Sequence, residues 1–357
     1  MSTTIPVTTA NGNYPIHVGT GLLHSAGKII RDTLTSKRLA IITDANVGAL
    51  YGKKLEDSLL EAGFAPITIT IPPGEGSKSF AAIEKICDQM ISHGLDRSSA
   101  VVALGGGVVG DLAGFAASIY FRGIPIIQIP TSIVAQVDSA IGGKTGINSH
   151  LGKNLIGAFH QPKAVIIDPA LLKTLPPRER NEGFAEIIKH AAIRDVTMLS
   201  ELECKTPEQW EALIRRNAQI KAEIVSADVY EKSGLRALLN FGHTIGHGIE
   251  QAAGYGKLWH GEAISLGLIA ACRISEKRAK LTPEATAAIL TALKTFKLPT
   301  QLPTEISTEA IIQALRHDKK FTDGEIRFVL TNSLGSAFLS RDVTLEDILE
   351  AIESLRS

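Results

Sequence analysis

The sequence predicts an α/β fold joined to an all-α region: an N-terminal Rossmann-like α/β domain with a C-terminal mainly helical domain. Three observations predict it. Short β-branched runs alternate with helical patterns through the first half, as in a mostly parallel sheet covered by helices. A glycine turn, LGGGVVGD, joins one of those runs to a helical segment. After LKTLPPRE (Leu172 to Glu179) the pattern changes to long amphipathic segments such as EGFAEIIKHAAI, PEQWEALIRRNAQIKAEIVSAD and EAISLGLIAACRISEKRAK. The boundary is placed near Pro176 and Pro177, giving domains over 1–176 and 177–357.

Length and composition narrow the function. At 357 residues the chain exceeds a single ordinary core, so two domains are the default. Lys plus Arg equals Asp plus Glu at 37 each, so no overall field recruits nucleic acid or an anionic membrane, and the target reads as a small molecule. Cys87, Cys204 and Cys272 are far apart with no CxxC pair. That spacing fits a reducing compartment and excludes a thiolate zinc cluster, so any metal must use His and carboxylate. The amino terminus lacks a basic start followed by an apolar run, and no stretch approaches the roughly 20 apolar residues of a spanning helix. A soluble cytoplasmic protein is expected.

The elements follow in order. VTTANGNYPIHVG reads as a hairpin around Asn11 and Gly12 that adds an antiparallel pair to the sheet. RLAIITD (Arg38 to Asp44), PITITIP (Pro66 to Pro72), AVVALGGG (Ala100 to Gly107), IPIIQIP (Ile124 to Pro130) and AVIID (Ala164 to Asp168) are the parallel strands, each ending in turn chemistry. In the glycine turn, Gly105, Gly106, Gly107 and Gly110 let the backbone approach a phosphate, and the following helix offers free N–H groups at its positive end. The spacing is GGGxxG rather than GxGxxG, so the turn alone reads equally as a tight strand-to-helix connection. Asp44, the PPGEGSK loop with Glu75 and Lys78, and Thr131 with Ser132 also follow strands at their carboxyl ends, where open sheets bind ligands. Together they favour a dinucleotide. Late in the chain, EIRFVLTNSLGSAFLS reads as a small hairpin about a Gly turn.

The most unusual stretch is LRALLNFGHTIGHGIE, Leu235 to Glu250. On one helix, Arg236, Asn240, His243 and His247 fall within an arc of roughly 60°, opposite an apolar side of Leu235, Leu238, Leu239, Phe241, Ile245 and Ile249. The polar stripe holds metal-ligand and anion-binding types, with Gly242 and Gly246 thinning the helix beside them. Glu186 lies three residues before Lys189, on the same helical face, and His260 in LWHGEA opens the next helix. With His243 these give a Glu, His, His set of the kind that holds a catalytic zinc with a position left for substrate. His247 reads as a fourth ligand, an acid or base, or an anion donor. Glu250 reads as a solvated or capping carboxylate. Lys144, Lys153 and Asn154 lie in Gly-rich sequence with Asp138 upstream, which reads as loops wrapped on a ligand. Lys189, Lys221, Arg236, Lys319 and Lys320 extend the cationic set toward a substrate with more than one negative group.

GGGVVGDLAGFAAS, PTSIVAQVDSAIGGKTGIN, LGKNLIGAFHQP, LKTLPPRE, GFAEIIKHA, LRALLNFGHTIGH and HGEAISLG resemble, in order and spacing, the motifs of the 3-dehydroquinate synthase family of sugar phosphate cyclases. The likeness runs from about Asp44 to Lys320. It implies a Rossmann-like domain and a helical domain with the active site between them, a homodimer, a bound NAD, and a divalent metal, typically Zn2+ with Co2+ as the alternative. The implied reaction belongs to the shikimate pathway of aromatic amino acid biosynthesis. A phosphate-eliminating lyase converts 3-deoxy-D-arabino-heptulosonate 7-phosphate to 3-dehydroquinate by NAD-mediated transient oxidation, phosphate elimination, reduction, ring opening and aldol closure.

By matching motif, the resemblance implies Glu186, His243 and His260 as metal ligands. It implies Asp138, Lys144, Asn154, Lys189, Lys221, Arg236, Asn240, His247, Lys319 and Lys320 as substrate-contacting residues, with Arg122 reaching the neighbouring subunit's phosphate site. For NAD it implies Asp44, Glu75, Lys78, Gly107, Val108, Val109, Gly110, Asp111, Thr131, Ser132, Lys144, Lys153, Leu171, Leu172, Lys173 and Thr174. Where the family reads DERExGLR this chain reads ADVYEKSGLR, one residue longer, which leaves Glu231, displaced by Lys232, in the place of the family's glutamate. Two other readings of the same motifs are a cyclase of the 2-epi-5-epi-valiolone or 2-deoxy-scyllo-inosose type and a metal-dependent polyol dehydrogenase.

Overall fold

The computed structural model describes residues 2–9, 12–254, 256–316 and 326–356. Two compact units emerge, one formed by Met1–Leu175 with Lys205–Val229, the other by Pro176–Cys204 with Tyr230–Ser357. A single division at 176/177 therefore does not describe the chain, which returns to the first unit for one helix. That helix, Pro207–Ala227, starts at a Thr206 capping box with Gln209. It packs on the first two strands, and its buried Lys221 ammonium pairs with Asp138 Oδ1 at 2.6 Å. Lys221 and Asp138 thereby share a unit, although 83 residues separate them.

The first unit is built on a seven-stranded sheet. Its strands are β1 (Thr3–Val7), β2 (Tyr14–Val18), β3 (Arg38–Asp44), β4 (Ala65–Ile71), β5 (Ala100–Gly105), β6 (Ile126–Pro130) and β9 (Ala164–Ile167), in the order β1-β2-β9-β6-β5-β3-β4. β7 (Lys144–Ser149) and β8 (Gly152–Phe159) form a separate antiparallel pair. Every neighbour pair in the large sheet is parallel except β1 with β2, the expected N-terminal hairpin, whose Asn11 lies outside the described residues. β3, β5, β6 and β9 are near-continuous Val, Ile, Leu and Ala runs because helices cover both faces. Leu39 and Ile41 point to a core with Ile30, Leu55 and Leu59, whereas Ala40 and Ile42 point to one with Ile83, Met90 and Leu112.

That alternation locates the ligand crevice. The helix after β3, Lys53–Glu61, packs on one face and the helix after β5, Gly107–Ile119, on the other. The winding of the sheet, not the strand direction, thus reverses between the parallel strands β3 and β5, whose carboxyl ends flank a topological switch point. Asp44 closes β3 there and Gly105 closes β5.

In the second unit the helices Pro177–Ile193, His243–Ala253, Pro283–Thr295 and Leu345–Glu353 all contact the helix His260–Ala279. The central helix is buried nearly all round from Gly261 to Ser275, so this segment is not the one-faced amphipathic helix its sequence suggests: the other helices cover it on every side. A hairpin of β10 (Phe328–Ser333) and β11 (Ser336–Ser340) lies beside it, the late hairpin expected from the Gly turn. Among the described residues no helix is long and apolar enough to cross a membrane.

Candidate active site

In the first unit the glycine turn sits at the switch point. The helix Gly107–Ile119 begins at Gly106 with no side-chain cap, so its first N–H groups are left to another acceptor. A methyl on Gly106 would stand 3.5 Å from Ser132 Oγ and one on Gly107 would stand 3.1 Å from Ser139 Oγ, so the turn is lined by hydroxyls at close quarters. Val109, Leu171 and Leu172 bury their side chains in the core and have only backbone to offer a ligand, whereas Val108 and Gly110 are half-buried and Lys173 and Thr174 are exposed. The Thr174 hydroxyl is 2.7 Å from Tyr51 Oη. Asp44 Oδ1 is occupied as the N-cap acceptor for the Asn46 and Val47 N–H groups, at 2.9 and 3.0 Å. Thr131 is buried, its N–H donating to the Gly105 carbonyl at 3.0 Å.

Lys78 organises the polar side of this region. Its buried ammonium donates to Asp111 Oδ2 at 2.7 Å and to Asn154 Oδ1, and lies 3.8 Å from Glu75 Oε1. Burial pushes the Asp111 carboxyl above its ordinary range, against the pull of Lys78. Asn148, absent from the sequence-based set, joins the group, donating to Glu75 at 2.9 Å and accepting from the Asn154 N–H at 3.0 Å. Lys144, Lys153 and Asn154 lie on the β7–β8 hairpin and not on wrapped loops. Glycine obscured that pairing in the sequence: Gly146 and Gly157 are where the strands approach so closely that a side chain would strike the opposite backbone. Arg122, in left-handed backbone with φ 67°, is exposed.

The second unit gathers the proposed ligands. Glu186 Oε1 lies 3.2 Å from His243 Nε2 and 3.1 Å from His260 Nε2, and Glu186 Oε2 accepts from the Lys189 ammonium. One donor atom from each of Glu186, His243 and His260 lies within 4.8 Å of the others. His243 Nδ1 is 3.2 Å from the Phe241 carbonyl, a backbone acceptor that fixes the ring with Nε2 turned toward Glu186. Glu186 and Lys189 have essentially no exposed side chain, whereas the His260 side chain is 33% exposed. Burial alone would raise the Glu186 carboxyl, but Lys189 and the two imidazoles hold it well below the usual carboxylate range. Burial lowers His243. For His260 burial is outweighed by Glu186 and Glu250, and the imidazole is pushed up to about 10.

Close helix contacts place these groups. The carbonyl of Glu182 lies where a side chain of residue 261 would be, its carbonyl carbon 2.7 Å from a methyl added to Gly261, and the Glu182 carboxylate accepts from the Gly261 N–H at 3.0 Å. Thus Glu186, one turn after Glu182, meets His260. Gly242 takes φ 78°, a left-handed conformation that ends one helical segment and starts the next.

That glycine corrects the single-helix reading of Leu235 to Glu250. Arg236–Asn240 is a separate 3-10 turn and the α-helix begins at His243. The continuous stripe is therefore broken between Asn240 and His243. Arg236 is 2% exposed, and Asn240 donates to Glu231 Oε1 at 2.9 Å, so Glu231 reaches the stripe despite the extra residue before it. His247 stays one turn beyond His243, with ring centroids 5.2 Å apart, and is exposed. Glu250 is neither solvated nor a cap: it is buried, 3.6 Å from His260 Nδ1. Lys319 and Lys320 lie outside the described residues.

A doubly wound α/β unit with an uncapped glycine turn, and a helical unit with a carboxylate and two imidazoles converged on one point, define the class: a two-unit α/β–α protein with the donor set of a metal-assisted enzyme. The family models for the 3-dehydroquinate synthase N-terminal and C-terminal regions match residues 68–182 and 183–321. A 3-dehydroquinate synthase from Methylacidiphilum infernorum is 44% identical over 96% of both chains. Among solved structures, the 2-epi-5-epi-valiolone synthase of Streptomyces hygroscopicus subsp. jinggangensis, with NAD+ and Zn2+ bound, superimposes with a TM-score of 0.87 at 31% identity over 96% of each chain. A 2-deoxy-scyllo-inosose synthase complexed with carbaglucose-6-phosphate, NAD+ and Co2+ gives the same TM-score at 28% identity over 99% of each. The chain belongs to the 3-dehydroquinate synthase family.

Proposed function

We propose that the protein is a 3-dehydroquinate synthase, a lyase that converts 3-deoxy-D-arabino-heptulosonate 7-phosphate to 3-dehydroquinate and phosphate. The observation that carries the reading is the convergence of Glu186, His243 and His260, in a chain whose full-length relatives carry that activity in their names. Two solved cyclases of the same fold bind NAD+ with Zn2+ or Co2+, and the residues here fit both groups. An oxygen and two nitrogen donors suit a catalytic divalent cation with open positions. The uncapped turn at Gly106 and Gly107 suits a pyrophosphate.

When bound, the dinucleotide accepts and returns a hydride and the cation polarises the substrate oxygen that loses its proton. The chain's own residues hold and orient. Glu186, His243 and His260 fix the cation in the second unit. The Lys78, Glu75 and Asp111 group, with Asp44, Thr131, Ser132, Lys153 and the backbone of Leu171 to Thr174, seats the dinucleotide in the first. Lys144 serves both ligands. Asp138, Asn154, Lys189, Lys221, Arg236, Asn240 and His247 contact substrate, with the buried Arg236 guanidinium matched to the carboxylate. Arg122 serves the partner subunit's phosphate site in a cytoplasmic homodimer.

The test feeds the heptulosonate phosphate with NAD+ and Zn2+ while phosphate and NADH are followed together. Stoichiometric phosphate without NADH accumulation is expected. Turnover only of a sugar phosphate lacking the carboxylate would reassign the chain to the related cyclases. Steady NADH formation from a polyol would make it a dehydrogenase.

A further inference from the structure

Glu250 stands in the second unit with no role in the reading above. It lies on the helix His243–Ala253, two turns after His243, between the exposed His247 and Gln251, yet its own side chain is only 9% exposed. A carboxylate turned inward loses hydration and persists where other groups compensate it. One group facing it is an imidazole: His260 Nδ1 lies 3.6 Å from Glu250 Oε2, at ion-pair range and just beyond a hydrogen bond. The opposite nitrogen of that ring, Nε2, faces Glu186 Oε1 at 3.1 Å.

We propose that Glu250 is a positioning residue for the metal site, its carboxylate facing the Nδ1 edge of His260 at ion-pair range so that Nε2 is the nitrogen presented toward Glu186 and His243. The inference rests on the metal reading of the preceding section. His260 is the ligand that needs such support. It is the first residue of its helix and keeps a third of its side chain exposed, whereas packing buries Glu186 completely and leaves His243 9% exposed. His243 already has its own arrangement, with Nδ1 on the Phe241 carbonyl. Both imidazoles then turn Nε2 inward and use Nδ1 outward, one on a backbone oxygen and one on a carboxylate. A carboxylate behind an imidazole also makes the ring a better donor. The helix that supplies His243 therefore supplies, from two turns further on, the group that aims the ligand of the next helix.

The test measures Zn2+ affinity by competition with a chromophoric chelator, without substrate, for the wild type, Glu250→Ala and Glu250→Asp. The visible spectrum of each Co2+-loaded protein is recorded as well. Glu250→Ala is expected to weaken zinc binding by about 10- to 100-fold and to alter the Co2+ spectrum. Glu250→Asp, which keeps the carboxylate, recovers part of the affinity, and both variants keep the wild-type circular dichroism. If Glu250→Ala does not fold, Glu250→Gln, of equal volume and uncharged, takes its place with the same expected direction. Wild-type affinity and an unchanged Co2+ spectrum in the variants would overturn the proposal. So would a second zinc ion per chain that disappears with Glu250, since the carboxylate would then itself be a ligand alongside His247. Failure of the wild-type protein to bind zinc at all would instead remove the metal reading on which this one stands.

Discussion

Gly267→Ala probes how finely the packing of two helices sets the metal site. Gly267 lies where the helix His260–Ala279 presses on the start of the helix His243–Ala253. A methyl there would stand 2.7 Å from Gly246 N, 2.9 Å from Gly246 Cα and closer still to the Gly242 carbonyl. Ordinary contact needs about 3.4 Å, so the Gly246 N contact alone asks the helices to part by about 0.7 Å and the Gly242 carbonyl asks for more, against backbone that has no side chain to rotate away. Overpacking of this kind costs about 1–3 kcal/mol, and replacing a helical glycine by alanine returns about 1 kcal/mol. The net loss of stability is then about 0–2 kcal/mol, a fall in Tm of no more than about 8 °C for a unit of this size. Metal binding is the sharper readout, because ligand distances tolerate only about 0.2 Å and His243 and His260 ride on the two separated helices. Zinc affinity is expected to fall at least about tenfold in a chelator competition while circular dichroism is unchanged. Wild-type zinc affinity in a folded Gly267→Ala protein would refute the idea that this crossing sets the donor geometry.

Three further outcomes are expected. Arg236→Ala should weaken the heptulosonate phosphate by about 10- to 100-fold, the worth of a charged hydrogen bond, while NAD+ binding stays at wild type; equal losses in calorimetric titrations of the two ligands would place Arg236 outside the substrate site. Asp347, buried and bonded to Arg278 at 2.8 and 2.9 Å and to Lys277 at 3.0 Å, has its carboxyl held far below the ordinary range: burial opposes ionisation and these partners and the Thr344 N–H outweigh it. A depressed carboxylate contributes stability that is present above its unfolded value near 3.8 and is lost as pH falls below it. The melting temperature should therefore drop progressively as pH is lowered from about 4 toward 2, and a wild-type-like drop in Asp347→Asn would show that other carboxylates cause it. Cys272, buried and pushed up to about 12, should resist alkylation at pH 8 until the protein is unfolded, and rapid labelling of Cys272 in the native protein, read by mass spectrometry, would contradict its burial.

The strands were legible because burial on both faces writes itself as unbroken apolar runs: Arg38–Asp44 is observed over the predicted residues, and Ala164–Ile167 ends one residue early. The Glu186, His243 and His260 set was legible from residue type and motif. The β7–β8 hairpin was not, because its glycines are selected by the backbone of the opposite strand, which the local pattern does not contain. The break at Gly242 was hidden for a related reason. A glycine inside an apparent helix reads as thinning, and only its φ of 78° shows that the helix stops and restarts there.

Glu250 shows the limit most clearly. By sequence it is a carboxylate near the end of a helix and reads as solvated, and its meaning depends on His260, ten residues further along and on another helix. What the sequence determined by itself was the alternation of strands and helices, the uncapped glycine turn and the residue types able to hold a cation, since these follow from hydrophobic period and side-chain chemistry along the chain. Which unit the helix Pro207–Ala227 joins, which nitrogen of each imidazole faces Glu186, and which carboxylates are buried were decided by tertiary structure. They depend on contacts between segments distant in sequence, where a shift of a fraction of an ångström separates a shared donor set from scattered polar side chains.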